Sequence, residues 1–312
     1  MSKKRLIVID SNSIIHRAYH ALPHLTTKKG ELVNAVYGFL LVFSRAVREF
    51  QPDFICACFD FPAPTFRSKI YKEYKITRPP APEELYRQIP KIKEILRAFG
   101  VSVFEKEKFE ADDLIGTIAT IASQNQILAE IETIILSGDF DILQLIDSQT
   151  KVYALKRGVK NIVLYDETEF KKKYGFFPQQ LLDFKALKGD LSDNIPGVKG
   201  IGEKTAKELI IKFGSLEKLY EEIEKLSDKA QTLKPKLREL LLKSKEKTFL
   251  NKALVTLRKD VPIDFNFKKC QWGKYDREKV IKILKNLEFY SLVERLPELQ
   301  KKSEVGRELR LW

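Results

Sequence analysis

Acidic residues close three of the short apolar segments in the first half of the chain. Asp10 ends the run RLIVID, Asp60 ends FICACFD, and Asp139, followed two residues later by Asp141, ends TIILSGD. Convergent carboxylates repel one another unless a cation lies among them, and Mg²⁺ or Mn²⁺ accepts their oxygens as ligands. If the fold brings these segment ends together, the four residues predict a divalent-cation site.

Two further acidic clusters follow along the chain. Glu110, Asp112 and Asp113 lie in EADDL, where a helix is predicted to begin, and Asp190 and Asp193 lie in GDLSDN. The first cluster could simply cap a helix, and the second could form a solvated Asx-turn. Taken together, however, the nine acids lie in segments with little compensating Lys or Arg. This set favours two metal ions, roughly 3.5 to 4 Å apart, that activate a water and stabilise the leaving oxygen of a phosphodiester.

The segment PGVKGIGEKTA, which starts at residue 196, is rich in glycine and lysine. It does not fit a Walker phosphate loop, because Lys204 comes one position too late and no strand precedes the segment. A dinucleotide fingerprint fails as well, since Thr205 occupies the place of its third glycine. The pattern favours a helix-hairpin-helix, in which Gly200 and Gly202 let a DNA backbone approach. Lys199 and Lys204 would hold phosphates there; the alternative is an ordinary connection between helices.

A basic and aromatic segment, TFRSKIYKEYKITR, covers residues 65–78. Its charges, which include Arg78, alternate with rings such as Tyr74, a pattern that suits single-stranded nucleic acid. A solvated basic helix is the alternative. A cation near a scissile phosphate would stabilise transition-state charge, and Lys75 and Arg67 are the candidates for this role.

Short β-branched runs alternate with helical patterns through the first half of the chain. This alternation predicts an α/β fold with a mostly parallel sheet flanked by helices. The carboxyl ends of parallel strands line one crevice, where the acids would converge. Residues 151–155 and 161–166 predict a closing pair of strands. The pattern is helical after that, so we expect an α/β domain at 1–177 and a helical domain at 178–312.

The chain has 312 residues and a formal net charge of +13, which favours a polyanionic partner. Its three cysteines and three histidines do not support a disulfide framework or a thiolate zinc site, so any metal needs oxygen ligands. The first apolar run is too short for a signal peptide, and no apolar stretch is long enough to span a bilayer. We expect a cytoplasmic monomer without a membrane partner.

Six motifs occur in an order that resembles the 5′ nuclease domain of bacterial DNA polymerase I, within the flap endonuclease superfamily. They are IDSNS (9–13), FDFPAPTFR (59–67), EYKITRPP (73–80), FEADD (109–113), SGDFDILQL (137–145) and GDLSDNIPGVKGIGEKTA (189–206). The resemblance implies a PIN-like 5′ nuclease fold and a structure-specific 5′ to 3′ exonuclease and flap endonuclease with two Mg²⁺ or Mn²⁺ ions. It places the acids in two metal regions, the first with Asp10, Asp60, Glu110, Asp112 and Asp113, the second with Asp139, Asp141, Asp190 and Asp193.

The same resemblance assigns nucleic-acid contacts. It makes residues 61–99 a helical arch over a 5′ single strand, with Lys75 and Arg67 facing the phosphate and Tyr74 near the leading base. It implies a helix-hairpin-helix at about 185–214 that can also bind K⁺. Lys185 and Lys204 would hold duplex DNA, and Arg17 would lie where the DNA branches. The implied partners are branched or flapped DNA, RNA-DNA primer junctions and a separate DNA polymerase, and we expect a free-standing nuclease.

Three other functions fit parts of the sequence. A PIN-type ribonuclease shares the strand-end carboxylates but usually lacks the glycine hairpin and the long basic excursion. A non-catalytic DNA-binding module would keep the hairpin but would have no reason to keep nine convergent acids. The pair Asp139 and Asp141 also suggests an aspartyl-phosphate phosphatase, which the following residues disfavour.

Overall fold

The computed structural model describes residues 3–125 and 130–296. In this part of the chain, six strands form one sheet: β1 (Lys4–Asp10), β2 (Phe54–Cys58), β3 (Ser102–Phe104), β4 (Ile131–Ser137), β5 (Thr150–Arg157) and β6 (Asn161–Tyr165). Their spatial order is β3-β2-β1-β4-β5-β6. Neighbouring strands from β3 to β5 are parallel, and β6 pairs antiparallel with β5. The predictions of a mostly parallel sheet and of a closing strand pair are therefore confirmed.

Side chains along the central strands point alternately to the two faces of the sheet, so the core consists of two clusters, one on each face. Leu6 and Val8 pack into one cluster with Cys56 and Cys58, whereas Ile7 packs into the other with residues such as Ile55. Successive strand residues point to opposite faces, so a run such as LIVI is apolar throughout because both faces are covered. The two cysteines share this face of the sheet, and both are free and buried.

Helices cover both faces of the sheet. Those that precede residue 177 are α1 (Ser11–Ala21), α2 (Asn34–Phe50), α3 (Phe66–Ile70), α4 (Glu83–Tyr86), α5 (Ile89–Ala98), α6 (Ala111–Ser123) and α7 (Glu167–Tyr174). Residues of α1, α2 and α5 belong to the cluster with Ile7, and residues of α6 belong to the opposite one. The basic segment 65–78 contains only the five-residue α3 and turns, so the alternative of a basic helix is wrong.

Further helices follow the sheet. They are α8 (Leu181–Lys188), α9 (Glu203–Phe213), α10 (Leu216–Glu224), α11 (Asp228–Gln231), α12 (Pro235–Lys243), α13 (Lys245–Val255), α14 (Arg277–Asn286) and α15 (Tyr290–Val293). The last two of these helices, α14 and α15, do not belong to a separate helical unit. Gln271 forms a bridge with Phe54, and Val280 and Leu284 of α14 pack into the core with α2 and α5. The division at residue 177 stays a prediction, but residues 270–296 return to the α/β part. Residues 297–312 lie outside the described range.

The strand order fixes where a ligand cleft can form. The chain moves outward from β1 to β2 and β3, then returns to the other side of β1 with β4 and β5. Loops that leave the carboxyl ends of β1 and β4 therefore diverge, and in open α/β sheets ligands bind in the crevice at such a switch point. Within residues 3–125 and 130–296, no helix has the length and apolar character needed to cross a membrane.

Candidate active site

A cleft of about 1440 Å³ opens at the carboxyl ends of β1, β2 and β4. Seven of the nine predicted acids line it, namely Asp10, Asp60, Glu110, Asp112, Asp139, Asp141 and Asp190. They come from three strand ends, the start of α6 and the turn after α8. The convergence of the strand-end acids follows from the sheet, because the carboxyl ends of its parallel strands meet at one edge.

Short polar side chains fix the carboxylates nearest the switch point. Asp10 caps α1 by accepting a hydrogen bond from the backbone N–H of Ser13 at 3.2 Å, and the hydroxyl of Ser137 donates to its other oxygen. The backbone N–H of Asp139 donates to the Ser137 hydroxyl at 2.8 Å, and the N–H of Asp141 donates to the Asp139 carboxylate at 2.8 Å. These bonds hold the carboxylates of Asp10 and Asp139 in place with few rotamers to choose from.

Burial and mutual repulsion make several of these groups reluctant to ionise. Burial and the charge of Asp139 raise the pKa of Asp10 to about 6. Burial raises the pKa of Asp112 well above its ordinary value, with further contributions from Asp10 and Asp139. Burial raises the pKa of Asp141 to about 7, although Lys185 acts in the opposite direction. Clustered carboxylates with raised pKa values are the expected signature of a site that needs a counter-charge.

The donor set fits a hard divalent cation, because the acids in the cleft offer only oxygen ligands. As the side chains are placed, no three of them in residues 3–125 and 130–296 are grouped closely enough to hold one ion. Two ammonium groups lie among them instead. Lys75 Nζ is 3.0 Å from a Glu110 oxygen, and Lys185 Nζ is 2.7 Å from an Asp190 oxygen.

The raised pKa values predict how stability depends on pH and metal. A carboxyl with a raised folded-state pKa binds its proton more tightly when folded, so its contribution to stability declines as the pH rises from about 4 to the folded value. The decline ends near the folded-state pKa, which is about 6 for Asp10 and about 7 for Asp141. Added Mg²⁺ should offset it, so the rise in melting temperature caused by Mg²⁺ should be larger at about pH 8 than at about pH 5. Thermal denaturation with Mg²⁺ or EDTA measures this; an equal rise at both pH values would contradict it.

Arg67 and Asp113, two predicted site residues, do not reach the cleft. Arg67 is 1% exposed and Asp113 is 0% exposed. The guanidinium donates to both Asp113 oxygens, at 2.7 and 2.6 Å, and to the carbonyl oxygens of Leu254 and Thr256. Asp113 also accepts from the backbone N–H of Glu110, as a helix cap would. The expectations that Arg67 faces a phosphate and that Asp113 binds metal are therefore corrected: the two residues form a buried ion pair.

Tyr74 and Asp193 are not among the side chains that line the cleft. Tyr74 is 8% exposed, and its hydroxyl contacts Glu110 at 3.1 Å and Asp193 at 3.0 Å, so its ring cannot stack on a base in this arrangement. Asp193 accepts from Arg78, and its carbonyl oxygen accepts the N–H of Lys75 at 2.9 Å. The roles of Tyr74 at a base and of Asp193 at a metal ion stay predictions. These contacts fasten segment 65–78 to the turn after α8.

Four predicted site residues do line the cleft, namely Lys75, Arg78, Arg17 and Lys185. Lys75 has φ +56°, a strained conformation for a lysine, and its bond to the Asp193 carbonyl holds it there. Burial opposes its charge, but Glu110 and Asp193 raise the pKa of Lys75, which keeps the ammonium protonated. Arg17 donates to the carbonyl oxygens of Gly138 and Lys156, so it joins α1 to the ends of β4 and β5.

The glycine hairpin lies directly beyond the acidic turn. Lys199, Gly200 and Gly202 are exposed between α8 and α9, and Lys204 is exposed in the first turn of α9. Gly200 has φ +92°, which a side chain would rarely adopt. At its base Gly189 and Gly197 are so close that a Cβ on Gly197 would lie 2.2 Å from the Lys188 carbonyl oxygen. The hairpin is therefore a rigid turn with lysines on its outer side.

Several residues of the cleft escaped sequence reasoning. Asn12 accepts from the N–H of Asp60, and Ser13 and Ser137 organise the Asp10 end. Lys156 and Arg157, at the end of β5, add positive charge to the cleft wall. The small polar residues near Asp10 and Asp139 and the basic pair at the end of a predicted strand were signals that could have identified them.

The parallel sheet with carboxylates at its switch point and a basic glycine hairpin at the same edge defines an α/β nuclease. The chain belongs to the 5′-3′ exonuclease family. The family's N-terminal resolvase-like domain matches residues 5–175, and its C-terminal SAM fold matches residues 176–278. The resemblance inferred from the six motifs is thereby confirmed.

Curated relatives and solved structures agree with this assignment. DNA polymerase I of Bacillus subtilis (strain 168) is 40% identical over 98% of this chain and 34% of its own length. DNA polymerase I of Bacillus caldotenax is 38% identical over 94% of this chain and 32% of its own length. The chain thus spans about a third of the length of the curated relatives it matches.

Two solved structures show the same fold at low identity. The bacteriophage T5 D15 flap endonuclease, in a pseudo-enzyme-product complex with DNA and metal ions, has a TM-score of 0.67 at 19% identity over 90% of this chain and 100% of its own. The catalytic core of Rad2 with DNA substrate has a TM-score of 0.56 at 20% identity over 93% of this chain and 89% of its own. The predicted fold class is confirmed.

Proposed function

We propose that this chain is a structure-specific 5′ to 3′ exonuclease and flap endonuclease that hydrolyses phosphodiesters with two Mg²⁺ or Mn²⁺ ions. Its substrates are flapped or branched DNA and RNA-DNA primer junctions, as needed in replication and repair beside a DNA polymerase. K⁺ at the helix-hairpin-helix remains part of this proposal. The PIN-type ribonuclease and the non-catalytic binding module are the rival functions.

One observation carries the proposal: a single short segment, residues 190–202, joins the acidic cleft to the glycine hairpin. Asp190 lines the cleft, and Gly197, which closes the base of the hairpin, lies only seven residues further on. DNA held by its backbone at the hairpin would therefore present a phosphodiester to the carboxylates. A binding module does not need such an arrangement, since base-independent phosphate contacts suffice to position DNA.

Within the cleft, this chain's residues have distinct tasks. The carboxylates at the ends of β1 and β4 are held by hydroxyl and backbone N–H groups, so they present oxygens in a fixed geometry. Divalent cations bound there would lower the pKa of a water and neutralise the charge that develops on the leaving oxygen. Lys75 lines the same cleft and carries a protonated ammonium group, which can stabilise the negative charge of the phosphate.

A direct assay tests the proposal. The protein is incubated with a 5′-flapped duplex, a plain single strand and a hairpin RNA, each with Mg²⁺ and with EDTA. We expect Mg²⁺-dependent cutting of the flapped duplex and none in EDTA. Absence of flap cutting in Mg²⁺ would refute the enzyme, and preferential cutting of the RNA would favour the PIN-type ribonuclease.

Lys75 should act on the chemical step. We expect Lys75→Ala to lower kcat by about 10²-fold, as loss of one preorganised charge-stabilising group does, with a smaller change in KM. Single-turnover cleavage of the flapped duplex measures the chemical step, and anisotropy measures binding. Lys72→Ala, which removes an exposed lysine from the same segment, is the control. An equal loss in binding and rate would make Lys75 a docking residue.

The hairpin lysines should act on duplex binding. We expect Lys199→Ala with Lys204→Ala to weaken DNA binding for all sequences and to reduce the salt slope of log affinity by about 2, because each phosphate contact contributes about 0.9. Fluorescence anisotropy across a salt series measures the slope. Lys282→Ala with Lys285→Ala removes two exposed lysines of α14, which packs with α2 and α5, and should leave it unchanged. Equal slopes in the hairpin variant and the unaltered protein would exclude the hairpin from the interface.

A further inference from the structure

Lys185 lies in the last turn of α8, and its ammonium group joins two carboxylates from different elements. Nζ contacts an oxygen of Asp141, in the turn after β4, and lies 2.7 Å from an oxygen of Asp190, in the turn after α8. The Lys185 side chain is 16% exposed, so the contact is shielded from solvent. The ammonium is thus the counter-charge for two of the acids in the cleft.

These two acids belong to the same predicted metal region. Mg²⁺ binds carboxylate oxygens at about 2.0 to 2.1 Å, so an ion shared by Asp141 and Asp190 would need nearly the space that Nζ holds. Two cations cannot both occupy it, since their repulsion in a shielded site is strong. The lysine has to move before an ion can bind both carboxylates.

A lysine is suited to such an exchange. Its charge is compact and sits on a flexible four-carbon stem, unlike the planar guanidinium of arginine. The stem of Lys185 starts from α8, whose last residue, Lys188, leads into the acidic turn and the hairpin beyond it. An ammonium released from the carboxylates therefore remains in the cleft, on the side that leads to the hairpin.

We propose that Lys185 couples metal binding to DNA binding: its ammonium occupies the Asp141–Asp190 position until a divalent cation displaces it, and the displaced ammonium then contacts a DNA phosphate. This inference rests on the proposed nuclease function and adds a mechanism of ordered assembly to it. Because coupling between two binding equilibria is reciprocal, DNA should tighten metal binding to the same extent that metal tightens DNA binding.

The first test is a Mn²⁺ titration of the full chain without DNA, followed by electron paramagnetic resonance. Lys185→Met removes the competing charge, and we expect it to bind Mn²⁺ about tenfold more tightly than the unaltered protein. Lys185→Arg keeps the charge and should bind Mn²⁺ within about threefold of the unaltered protein. Unchanged or weaker Mn²⁺ binding by Lys185→Met would overturn the proposal.

Lys188→Met is the matched control. Lys188 lies about one turn further along α8 and lines the same cleft, but its ammonium pairs with Glu203 at 3.3 Å rather than with the cleft acids. Its substitution by methionine removes the same charge. An equal gain in Mn²⁺ affinity for both methionine variants would show a general charge effect and would also overturn the proposal. If Lys185→Met folds poorly without metal, the Mn²⁺-induced rise in its melting temperature replaces the titration. That rise should exceed the rise in the unaltered protein.

The second test measures coupling. Anisotropy of a flapped duplex is titrated with protein in EDTA and in Ca²⁺, an oxygen-binding cation, with gels to check that the DNA stays intact. We expect Ca²⁺ to tighten DNA binding more in the unaltered protein than in Lys185→Met, by about tenfold. An equal effect of Ca²⁺ in both proteins would refute the coupling. Neither test depends on cleavage, so a failure here is distinct from a failure of the proposed function.

Discussion

Replacing Asp139 and Asp141 together with asparagine should abolish cutting of flapped DNA while leaving DNA binding intact. Both residues line the cleft, and the Asp139 carboxylate accepts the backbone N–H of Asp141 at 2.8 Å. Asparagine keeps the shape and this bond but removes two negative charges, and with them the affinity for hard cations. We expect the rate of cleavage to fall by at least about 10³-fold, since electrostatic groups at the reacting centre are usually the largest contributors to catalysis.

The measurement combines single-turnover cleavage with DNA anisotropy. DNA affinity should stay the same or rise, because less negative charge faces the phosphates. The control is Asp260→Asn with Asp264→Asn, whose side chains are 65% and 83% exposed and lie outside the cleft; it should cut normally. Persistent turnover in the Asp139 and Asp141 variant would remove these residues from the metal site.

Much of the fold could be predicted because its signals are local. The runs that became β1, β2 and β4 are continuous, apolar and β-branched, which a strand buried on both faces requires. The strand β3 was missed, because Ser102–Phe104 is three residues long and half-buried at the edge of the sheet. The packing of Val280 and Leu284 into the core cluster that contains Ile7 was missed as well, since a helical stripe shows that a face is buried but not against which partner.

The site was predictable where position along a strand determines it. Asp10, Asp60 and Asp139 had to converge once the sheet was parallel. Asp113 could not be separated from its neighbour Asp112 in this way. In the first turn of α6, Asp112 lines the cleft, whereas Asp113 points into the core toward Arg67. That choice depends on the rotation of the helix and on a partner far away in sequence, which no local pattern reveals.

Charge patterns had the same limit in segment 65–78. Basic and aromatic residues at short spacing indicate either a nucleic-acid surface or a set of buried partners, and the chain uses both. Lys75 and Arg78 reach the cleft, while Tyr74 is buried against Glu110 and Asp193. The sequence assigned the acids to metal ions and the bases to phosphates. In the structure some of these acids and bases form ion pairs with each other.

Arg67→Met should destabilise the protein by about 3–5 kcal/mol, the usual effect of removing one partner from a buried ion pair. Asp113 would be left charged and 0% exposed, and the carbonyl oxygens of Leu254 and Thr256 would lose their donor. Urea denaturation measures the loss. Arg87→Met breaks an exposed pair with Glu83, whose side chains are 72% and 75% exposed, and should change stability by less than about 1 kcal/mol.

A second substitution separates the buried pair from a catalytic role. Arg67→Met with Asp113→Asn removes the uncompensated charge, so part of the lost stability should return in the double variant. Arg67 joins segment 65–78 to α6 and to residues 254–256, so its loss should also misplace Lys75 and slow cleavage at temperatures where the protein is still folded. That slowing should be relieved together with stability in the double variant. A variant with unaltered stability but no cleavage would instead restore Arg67 to the chemistry that the sequence first assigned to it.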